Sequence, residues 1–531
     1  MNKKWNYTDP IDLLYHIRLG QNALLGMLNP TKKYLPYWNC RFENGDVKGL
    51  WHSGSSDRCH NVARAIHGLS MAENVTGENI NEDIMKSLTK HLFALFDEGD
   101  GLPGTIADST GKRFIELHNI RETLHALTAL IKRKNSKAKQ LAHRMINIMY
   151  NTLDEEGEKH IDRLPSYVVT SASNISYIDH QPEQEGRMVD SLIRYYRVTE
   201  DEVALKLASL LTKFALNHCF TDDGYITEKA GTHGHSITAL VAGMLDLASL
   251  TNDKNLLYRV KTIFDTGLPC FNSSFGWSME WLDKCIPRGE SNNTGDILRA
   301  SLHLGQAGFT QYYDVAEKIL RGHLLPSQVI NIKGLNDTVN MKEDYLHNLS
   351  SRIQGGFSFP TPNDFIHSDL ITLDDIHKGL VTYDITSGAV DALCEAWQTI
   401  ITEDTRGIRI NLIFNCQRKG VYVKSFLSGE GRVDIKNTSG QDILIRIPKW
   451  VSSADINLIV NGADHTLNFI GSYLLVPGQK EIQNISVKFP IRKIRTVEEI
   501  AYRKYTIDWC GDQIVAMSPA AKNLPFFPPC K

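Results

Sequence analysis

Apolar residues recur with a helical period through most of the first four hundred positions. In AIHGLSMAENVTG and in ALVAGMLDLASLTND they fall at i, i+3, i+4 and i+7, and each run then ends in a turn. The same pattern predicts twelve helices, over residues 12–28, 57–74, 80–97, 117–133, 136–152, 185–198, 201–218, 235–250, 254–267, 294–307, 309–322 and 388–401.

Short turns separate these helices in pairs. They lie near Thr76-Gly77, Asn135-Ser136, Thr199-Asp201, Thr251-Asp253 and Gly308-Thr310. Their spacing, roughly fifty to sixty-five residues, is typical of a repeat architecture. Long links rich in Gly, His, Asp, Glu and aromatic residues join one pair to the next, so short turns gather at one end and long loops at the other. Twelve helices form six hairpins if the first closes against the last. We therefore predict an (α/α)6 toroid, with an open solenoid as the alternative.

The pattern changes after residue 405. The segments INLIFN, VYVKSFL, RVDIKN, ILIRIP, INLIVNG, SYLLVP and ISVKFP alternate or run apolar between turn residues, which predicts an antiparallel β-sandwich. We predict a toroid domain over residues 1–403 and a β-sandwich domain over residues 404–531. The turns of the second domain carry no aromatic platform, so we expect it to cover the toroid or to form a homodimer.

Composition narrows the classes of partner. A net charge of −3 gives no general attraction to nucleic acid, and no apolar run approaches the roughly twenty residues that span a bilayer. The charged start MNKKWNYTDPIDLL is not followed by an apolar stretch, so we expect no signal peptide. The nine cysteines include no CxxC pair, which favours a reducing compartment such as the cytoplasm, or the periplasm if a leader precedes this sequence.

Two early helix starts carry charged and histidine residues. WHSGSSDRCHN places Asp57, Arg58 and His60 at the start of a helix, where Asp57 could serve as an N-cap or as a catalytic carboxylate. FIELHNIRETLHAL places Arg121 and Glu122 on the next inner helix, where the i,i+4 spacing of its charged residues also suits a structural network.

Two further loops add candidates. YIDHQPEQEGRMVDSL crowds acidic and basic residues at a helix entry, and from it we predict site roles for His180, Glu185 and Arg187. GTHGHSI places His233 and His235 on a Gly-containing loop before an apolar helix. No acidic third ligand follows at helical spacing, so hydrogen bonding to sugar hydroxyls suits these two residues better than zinc does.

The segment FGWSMEWLDKCIPRGESNNTGDIL is the richest in chemistry. Trp277 offers a ring face that could stack on a sugar, and Glu280 and Glu290 could give or take a proton. Arg288 would lower the pKa of a neighbouring carboxyl group, whereas burial would raise it. Asn293 adds hydrogen bonds. Carboxylates with Trp, His and Arg on one rim fit glycoside hydrolysis, which needs an acid and a second carboxylate. We predict Glu290 as acid or base, with Glu185 or Asp57 as its partner.

The chain also resembles glycoside hydrolase family 127. The resemblance lies in RGESNNTGDILRASLHLGQAGFTQYYDVAEKILRGHLLPSQ, in VTYDITSGAVDALCEAW and in IRIPKW with GSYLLVP and ISVKFP. It implies a toroid with a C-terminal β-domain and, as one activity, β-L-arabinofuranosidase. That family pairs a Glu-x-Cys motif with a Cys-Cys pair to bind zinc and supply a thiolate. Here Glu290 matches the Glu, Asn292 replaces the Cys, and no cysteine pair lies near Asp384. We therefore predict carboxylate chemistry without a metal.

The layout is also similar to families that act on uronic acids. Arg58, Arg121, Arg187 and Arg288 could pair with a uronate carboxylate. We predict an exo-acting hydrolase that removes a uronic acid such as a β-glucuronide from an oligosaccharide. The alternatives are an arabinofuranosidase, a polysaccharide lyase and a non-catalytic carbohydrate-binding protein.

Overall fold

The computed structural model describes residues 11–43, 46–54, 57–96, 101–106, 113–160, 163, 182, 186–283, 287–337, 343–365, 379–427 and 429–531. Within these residues the helices are α1 (Leu13–Gly26), α2 (Val62–Thr76), α3 (Glu82–Ala94), α4 (His118–Lys132), α5 (Ser136–Asn151), α6 (Met188–Thr199), α7 (Glu202–His218), α8 (Gly234–Thr251), α9 (Lys254–Thr266), α10 (Ser291–Gln306), α11 (Tyr312–Ile319), α12 (Leu349–Ile353) and α13 (Tyr383–Ile400).

Six of these helices form a closed inner ring. The helices α2, α4, α6, α8, α10 and α13 each pack on the next, and α13 packs back on α2. The outer helices α3, α5, α7, α9 and α11 each pack on the inner helix before them, and α1 packs on α13. The first helix thus closes against the last, and the predicted (α/α)6 toroid is confirmed.

The position of a helix follows from how much of its surface is apolar. The inner helix α8 is buried along nearly its whole length, from Gly234 to Ala248. The outer helix α9 buries only the stripe of Val260, Ile263 and Phe264 and shows polar residues to solvent. A helix that is apolar all round needs neighbours on every side, and an amphipathic helix needs only one. The main core therefore lies between the two rings.

The short turns share a simple chemistry. Glu200 and Asn252 end their inner helices in the left-handed conformation, at φ 57° and φ 53°. The residues that follow them, Asp201 and Asp253, accept backbone hydrogen bonds from the first turn of the outer helix. A left-handed residue stops one helix and an Asp N-cap starts the next, so the chain reverses within a few residues. The predicted turns are confirmed.

The strands are β1 (Leu28–Asn29), β2 (Leu35–Pro36), β3 (Asn39–Glu43), β4 (Asp46–Trp51), β5 (Thr105–Ile106), β6 (Arg113–Phe114), β7 (Asn336–Asp337), β8 (Gly379–Thr382), β9 (Ile401–Asp404), β10 (Gly407–Ile410), β11 (Cys416–Arg418), β12 (Val421–Ser425), β13 (Arg432–Asn437), β14 (Ile443–Arg446), β15 (Asn457–Val460), β16 (Ala463–Asp464), β17 (Phe469–Ile470), β18 (Tyr473–Val476), β19 (Gln483–Lys488), β20 (Lys493–Ile500), β21 (Arg503–Cys510) and β22 (Gln513–Ser518).

The C-terminal strands form the predicted sandwich. One sheet has the order β17-β18-β14-β10-β9 and the other has the order β11-β12-β13-β19-β15-β16. Buried and exposed residues alternate along β12, which is typical of a strand with one face on a core. The pairing is antiparallel except between β10 and β14, which run parallel. A three-stranded sheet, β20-β21-β22, follows. Strand β9 starts directly after α13, so the two domains share a continuous backbone at Ile400 and Ile401.

No helix among the described residues is both long enough and apolar enough to cross a membrane.

A buried ion network ties the sandwich to the toroid. Arg446, on β14, is fully buried and lies 2.6 Å from Oδ1 of Asp314 on α11 through its Nη1 atom. Its Nη2 contacts Glu317 on the same helix, and Nε donates to the backbone oxygen of Asn411 at 2.5 Å. Burial opposes the charge of Glu317, but Arg446 and Arg321 hold the pKa of its carboxyl group below the usual value.

We expect Glu317→Gln to lower the free energy of unfolding by about 3 kcal/mol, because it leaves a buried Arg446 with one ionised partner fewer. Denaturant unfolding of the full chain measures this loss. The matched control is Asp508→Asn, which removes an exposed pair with Arg495 in the same half of the chain and should cost at most about 1 kcal/mol. Equal losses for the two variants would contradict the structural role of the buried pair.

Candidate active site

The first turns of the inner helices meet at one mouth of the toroid. Nδ1 of His60, at the entry to α2, lies 2.7 Å from Oδ1 of Asn119 on α4. Nε2 of the same ring lies 2.9 Å from Oδ1 of Asp384 on α13. Because adjacent hairpins repeat the same direction, all six N-termini point to this mouth. Each adds the positive end of a helix dipole, so the mouth favours negative charge.

Glu290 precedes the first turn of α10 and is buried. Its Oε1 accepts a hydrogen bond from Nδ2 of Asn292 at 2.9 Å and lies 3.4 Å from Nδ1 of His235. Burial raises the pKa of the Glu290 carboxyl well above its ordinary value, and the nearby charges of Glu280 and Asp384 raise it further. The protonated form of Glu290 is therefore favoured.

Asp384 lies in the first turn of α13 and, unlike Glu290, favours its ionised form. Its Oδ1 lies 2.6 Å from Nε of Arg64 as well as 2.9 Å from His60. Burial opposes ionisation, but Arg64 and His60 hold the pKa of the Asp384 carboxyl well below its usual range. Its side chain is 14% exposed, against 4% for Glu290. Asp384 is thus an ionised carboxylate that can touch a ligand. Two carboxyl groups whose pKa values are driven apart are typical of an acid and base pair.

A buried layer of arginines and carboxylates holds Arg64 in place. Nε of Arg64 lies 3.3 Å from Oε2 of Glu122, and Oε1 of Glu122 lies 2.5 Å from Nη2 of Arg187 and 3.0 Å from Nη1 of Arg121. Burial opposes the charge of Glu122, but these arginines hold the pKa of its carboxyl well below its ordinary value. Glu122 thus orients the arginines, one of which reaches Asp384.

A second chain of groups runs behind Glu290. Nε2 of His235 lies 3.4 Å from Oδ2 of Asp296, which also accepts from Oγ1 of Thr238 at 3.1 Å. Burial raises the pKa of Asp296 to about 6. Burial, together with Arg187, lowers the pKa of His235 well below its usual value. The imidazole is therefore neutral between two carboxyl groups, an arrangement that sets the orientation of Glu290.

His233 lines the same mouth. Its ring lies 4.7 Å from the ring of Trp281, and its Nδ1 lies 2.8 Å from Oγ of Ser236. Its Nε2 lies 3.8 Å from Oε2 of Glu290, and the side chain is 16% exposed. The predicted pair of histidines in GTHGHSI thus flanks Glu290, one buried behind it and one at the mouth.

Arg288 is a buried cation near the carboxyl group of Glu290. Its Nε lies 3.0 Å from Oε2 of Glu280, and its guanidinium stacks over the ring of Phe359 at 4.0 Å. Burial lowers the pKa of Arg288, and the charges of Glu280 and Glu290 oppose that shift. Its Nη2 is buried and has no hydrogen-bond partner among the described residues. A buried donor of this kind is costly unless a ligand supplies the acceptor.

The C-terminal end of the chain supports the loop that carries Glu290. The backbone oxygen of Pro360 accepts from Nε1 of Trp277 and from the backbone N–H of Gly289, at 2.9 Å and 2.8 Å. Four residues further on, Asp364 accepts the backbone N–H groups of residues 522–524. The segment from Pro360 to Asp364 therefore links the tail to the site loop.

Three of the predicted site residues have other roles. Trp277 is 1% exposed and holds Pro360, so its assignment as a sugar platform is wrong. Asn293 is fully buried and donates to the backbone oxygen of Met279 at 2.9 Å, which makes it a residue that holds the loop rather than one that binds substrate. Arg121 belongs to the buried layer, where its guanidinium donates to Glu122 and Asp190.

Asp57 is also corrected. Its Oδ2 lies 3.0 Å from Nδ1 of His52 and accepts from the backbone N–H of Gly54, and its Oδ1 accepts from Oγ of Ser53. These bonds occupy both oxygens within one turn, and the side chain is 1% exposed. Asp57 therefore shapes the turn before α2 and does not serve as the partner of Glu290. The exposed Arg58 follows it.

Two candidates, His180 and Glu185, lie outside the described residues. Of the other predictions, the structure brings together Glu290, Glu280, Arg288, Arg187, His233, His235 and His60. Asp384 and Arg64 were missed. A usable signal existed, because each inner helix carries a polar residue in or just before its first turn. VTYDIT is the sixth such start.

The residues present do not fit a zinc–thiolate centre. The side-chain N–H of Asn292 donates a hydrogen bond to Glu290, whereas a metal ligand at this position would have to offer a lone pair. The described residues also hold no group of three His, Cys, Asp or Glu side chains suited to a metal ion. Burial raises the pKa of the Cys394 thiol, and burial and Glu116 raise that of Cys59, so neither is an activated thiolate.

Comparisons with known proteins agree on the fold. A glycoside hydrolase family 127 β-arabinofuranosidase is 14% identical over 95% of this chain and 81% of its own, with a TM-score of 0.60. A β-L-arabinofuranosidase of the same family from Geobacillus stearothermophilus T6 is 11% identical over 94% and 80%, with a TM-score of 0.58. A structure described as a glycoside hydrolase is 13% identical over 92% and 84%, with a TM-score of 0.56.

No protein-family model matches the sequence, and no curated protein matches it either. At these identities the structural likeness establishes a fold that this chain shares with glycoside hydrolases.

Proposed function

We propose that this protein is a glycoside hydrolase with Glu290 as general acid and Asp384 as the second carboxylate. The observation that carries the proposal is the opposite displacement of their pKa values at one mouth. A protonated Glu290 can donate to the oxygen of the leaving group. An ionised Asp384 can activate water or attack the anomeric carbon. The shared fold supports the same class of reaction.

The closed floor of the cavity supports an exo mode of action. Asp190 lies 2.7 Å from Nη2 of Arg299, 3.3 Å from Nη2 of Arg121 and 3.3 Å from Nε2 of His125, and all four side chains are buried. These contacts join three of the inner helices beneath the site. They oppose the passage of a polymer through the ring and favour entry of the end of a sugar chain.

The substrate we favour carries a terminal uronic acid such as a β-glucuronide. Nη2 of Arg288 and Nη2 of Arg64 are buried without a hydrogen-bond partner among the described residues. Six helix N-termini add positive potential to the same mouth. A sugar carboxylate accepts charge-assisted hydrogen bonds from such donors, and these bonds are stronger than those that a neutral sugar hydroxyl accepts.

We expect Arg288→Gln to lower kcat/KM for an aryl β-glucuronide by roughly 10–100-fold and to leave an aryl β-glucoside within a few-fold, since only the former loses an ion pair. Steady-state kinetics on both substrates measure the difference. The variant Arg288→Lys keeps the charge but not the planar fork and should recover only part of the loss. Equal losses of kcat/KM on both substrates would contradict the proposal that the substrate carries a uronic acid.

A second candidate substrate is a β-L-arabinofuranoside, because two of the proteins that share the fold are β-arabinofuranosidases. A panel of aryl β-glucuronide, β-glucoside and β-L-arabinofuranoside distinguishes the two by which phenol is released. Absorbance from a new C=C bond on a uronate polymer would instead identify a lyase. Binding without any turnover would identify a carbohydrate-binding protein and would overturn the proposal of hydrolysis.

A further inference from the structure

The outward face of the six-stranded sheet forms a groove of about 520 Å³ on the β-sandwich domain. Strands β12, β13, β19 and β15 supply its lining, and their side chains alternate between this face and the core. The residues that point outward include Tyr422, Lys424, Arg432, Asp434, Lys436 and Lys488.

Cross-strand register places these residues side by side. Tyr422 is directly opposite Lys436, and Lys436 is directly opposite Asn484 on the next strand. One end of the groove pairs Arg432 with Lys488 in the same way. Residues directly opposite each other interact through their side chains. Two positive charges are thus neighbours at one end, where like charges destabilise the sheet unless an anion lies between them.

The groove has more cations than carboxylates. Lys424, Lys436 and Lys488 have no carboxylate partner among the described residues. Asp434 accepts from Oγ of Ser486 at 2.7 Å and lies 3.5 Å from Nε of Arg432. Two further acids lie at the margin, Glu430, which is 3.1 Å from Nη1 of Arg432, and Asp464 on the edge strand β16. The uncompensated charge therefore lies on the three lysines.

An aromatic surface lies among these charges. Tyr422 is 47% exposed and is the second residue of β12. At the far end the guanidinium of Arg432 lies over the ring of Phe426, 3.8 Å from its centroid. An exposed ring beside cations is suited to a ligand that has both apolar ring faces and negative charges.

We propose that this groove binds a polysaccharide chain that contains uronic acids. The sugar rings lie on Tyr422 and the carboxylates pair with Lys424, Lys436 and Lys488. The inference rests on the proposed function, because the polysaccharide held in the groove is the polymer whose end enters the toroid. It also revises the purely structural role expected of the β-domain, since the aromatic platform is on a strand rather than in a turn.

Native affinity electrophoresis of the full chain in gels with polygalacturonate tests the proposal, with dextran as the neutral polymer. We expect retardation by polygalacturonate alone. The variant Lys436→Ala/Lys488→Ala should weaken this binding roughly tenfold. Tyr422→Ala, which changes no charge, should weaken it by several-fold. The matched control, Lys480→Ala/Lys504→Ala, removes two exposed lysines elsewhere in the same half of the chain and should leave binding unchanged.

Each outcome is decisive. Equal losses of binding for the two lysine pairs would show non-specific attraction and would overturn the proposed binding site. Absence of retardation, or equal retardation by dextran, would overturn it as well. Hydrolysis of the aryl glycosides tests the toroid separately, and the groove variants should leave it unchanged. Retardation without hydrolysis would therefore uphold the groove and reject the proposed activity, whereas hydrolysis without retardation would do the reverse.

Discussion

Replacing Glu290 with Gln should lower kcat on an aryl glycoside by roughly 10²–10⁴-fold, because the amide keeps the shape of the side chain but cannot donate a carboxylic proton. The loss should be smaller for substrates with a better leaving phenol, which need less help from an acid. Substrate affinity should change little, since Asn292 and His235 still have an oxygen to contact. Kinetics over a series of aryl leaving groups measure both effects.

The same substitution should raise stability at neutral pH. The pKa of Glu290 is raised in the folded protein, so protonation is favoured by folding. The benefit is present below the pKa of the unfolded chain and is lost as pH rises through the folded pKa. Glu290→Gln removes that dependence, and its thermal midpoint should exceed the wild-type value most clearly above neutral pH. For the same reason, wild-type activity should fall on the alkaline side, where Glu290 loses its proton.

The variant Glu317→Gln is the matched control for this experiment. It makes the same chemical change at a buried carboxylate of the domain interface. We expect it to lose stability and keep its kcat, whereas Glu290→Gln should do the opposite. If Glu290→Gln keeps its turnover within a few-fold, Glu290 is not the acid.

Replacing Asp384 with Asn should abolish most turnover, by about 10³-fold or more, because the second carboxylate of a glycosidase takes part in the bond-forming step. Here the stability should also fall, by about 3 kcal/mol, since Arg64 loses an ionised partner in a buried site. Kinetics and denaturant unfolding on the same preparation measure the two effects. Activity should persist to low pH in the wild type, because the pKa of Asp384 is held below its usual range.

Asp384→Glu separates the catalytic role from the structural one. It retains a charge that can pair with Arg64 but moves the carboxylate by one methylene group. We expect most of the stability to return while turnover stays at least roughly tenfold low, since catalysis needs the reacting atoms aligned within a fraction of an ångström. Full recovery of turnover together with stability would mean that Asp384 only holds Arg64 in place.

Local patterns were sufficient to predict the helices of the two rings and the turns between them. The period of the apolar positions predicted every helix of the two rings, and residues such as Asp201 and Asp253 marked the turns between them. These features depend on neighbours three or four positions away, which a single sequence displays. The change to a period of two after residue 405 predicted a β-sandwich for the same reason, although its first strand, β9, begins earlier, at Ile401.

Only part of the candidate site could be predicted from the sequence. Glu290, Glu280 and Arg288 were found because they crowd into one segment of the chain. Asp384 was missed, as it lies ninety-four residues from Glu290 and stands alone in VTYDIT. Trp277 was assigned wrongly because composition does not show whether a ring is exposed, and here Pro360 and the surrounding core enclose it.

The sequence by itself therefore determined which segments are helices and strands, where they turn, and which loops carry chemical groups. Only the tertiary structure decided that α13 closes the ring, and this closure brings Asp384 to the mouth that holds Glu290. Burial and charge then decided the protonation of each group. Both depend on residues far apart in the chain, so a pKa is a property of the assembled site rather than of the motif that contains it.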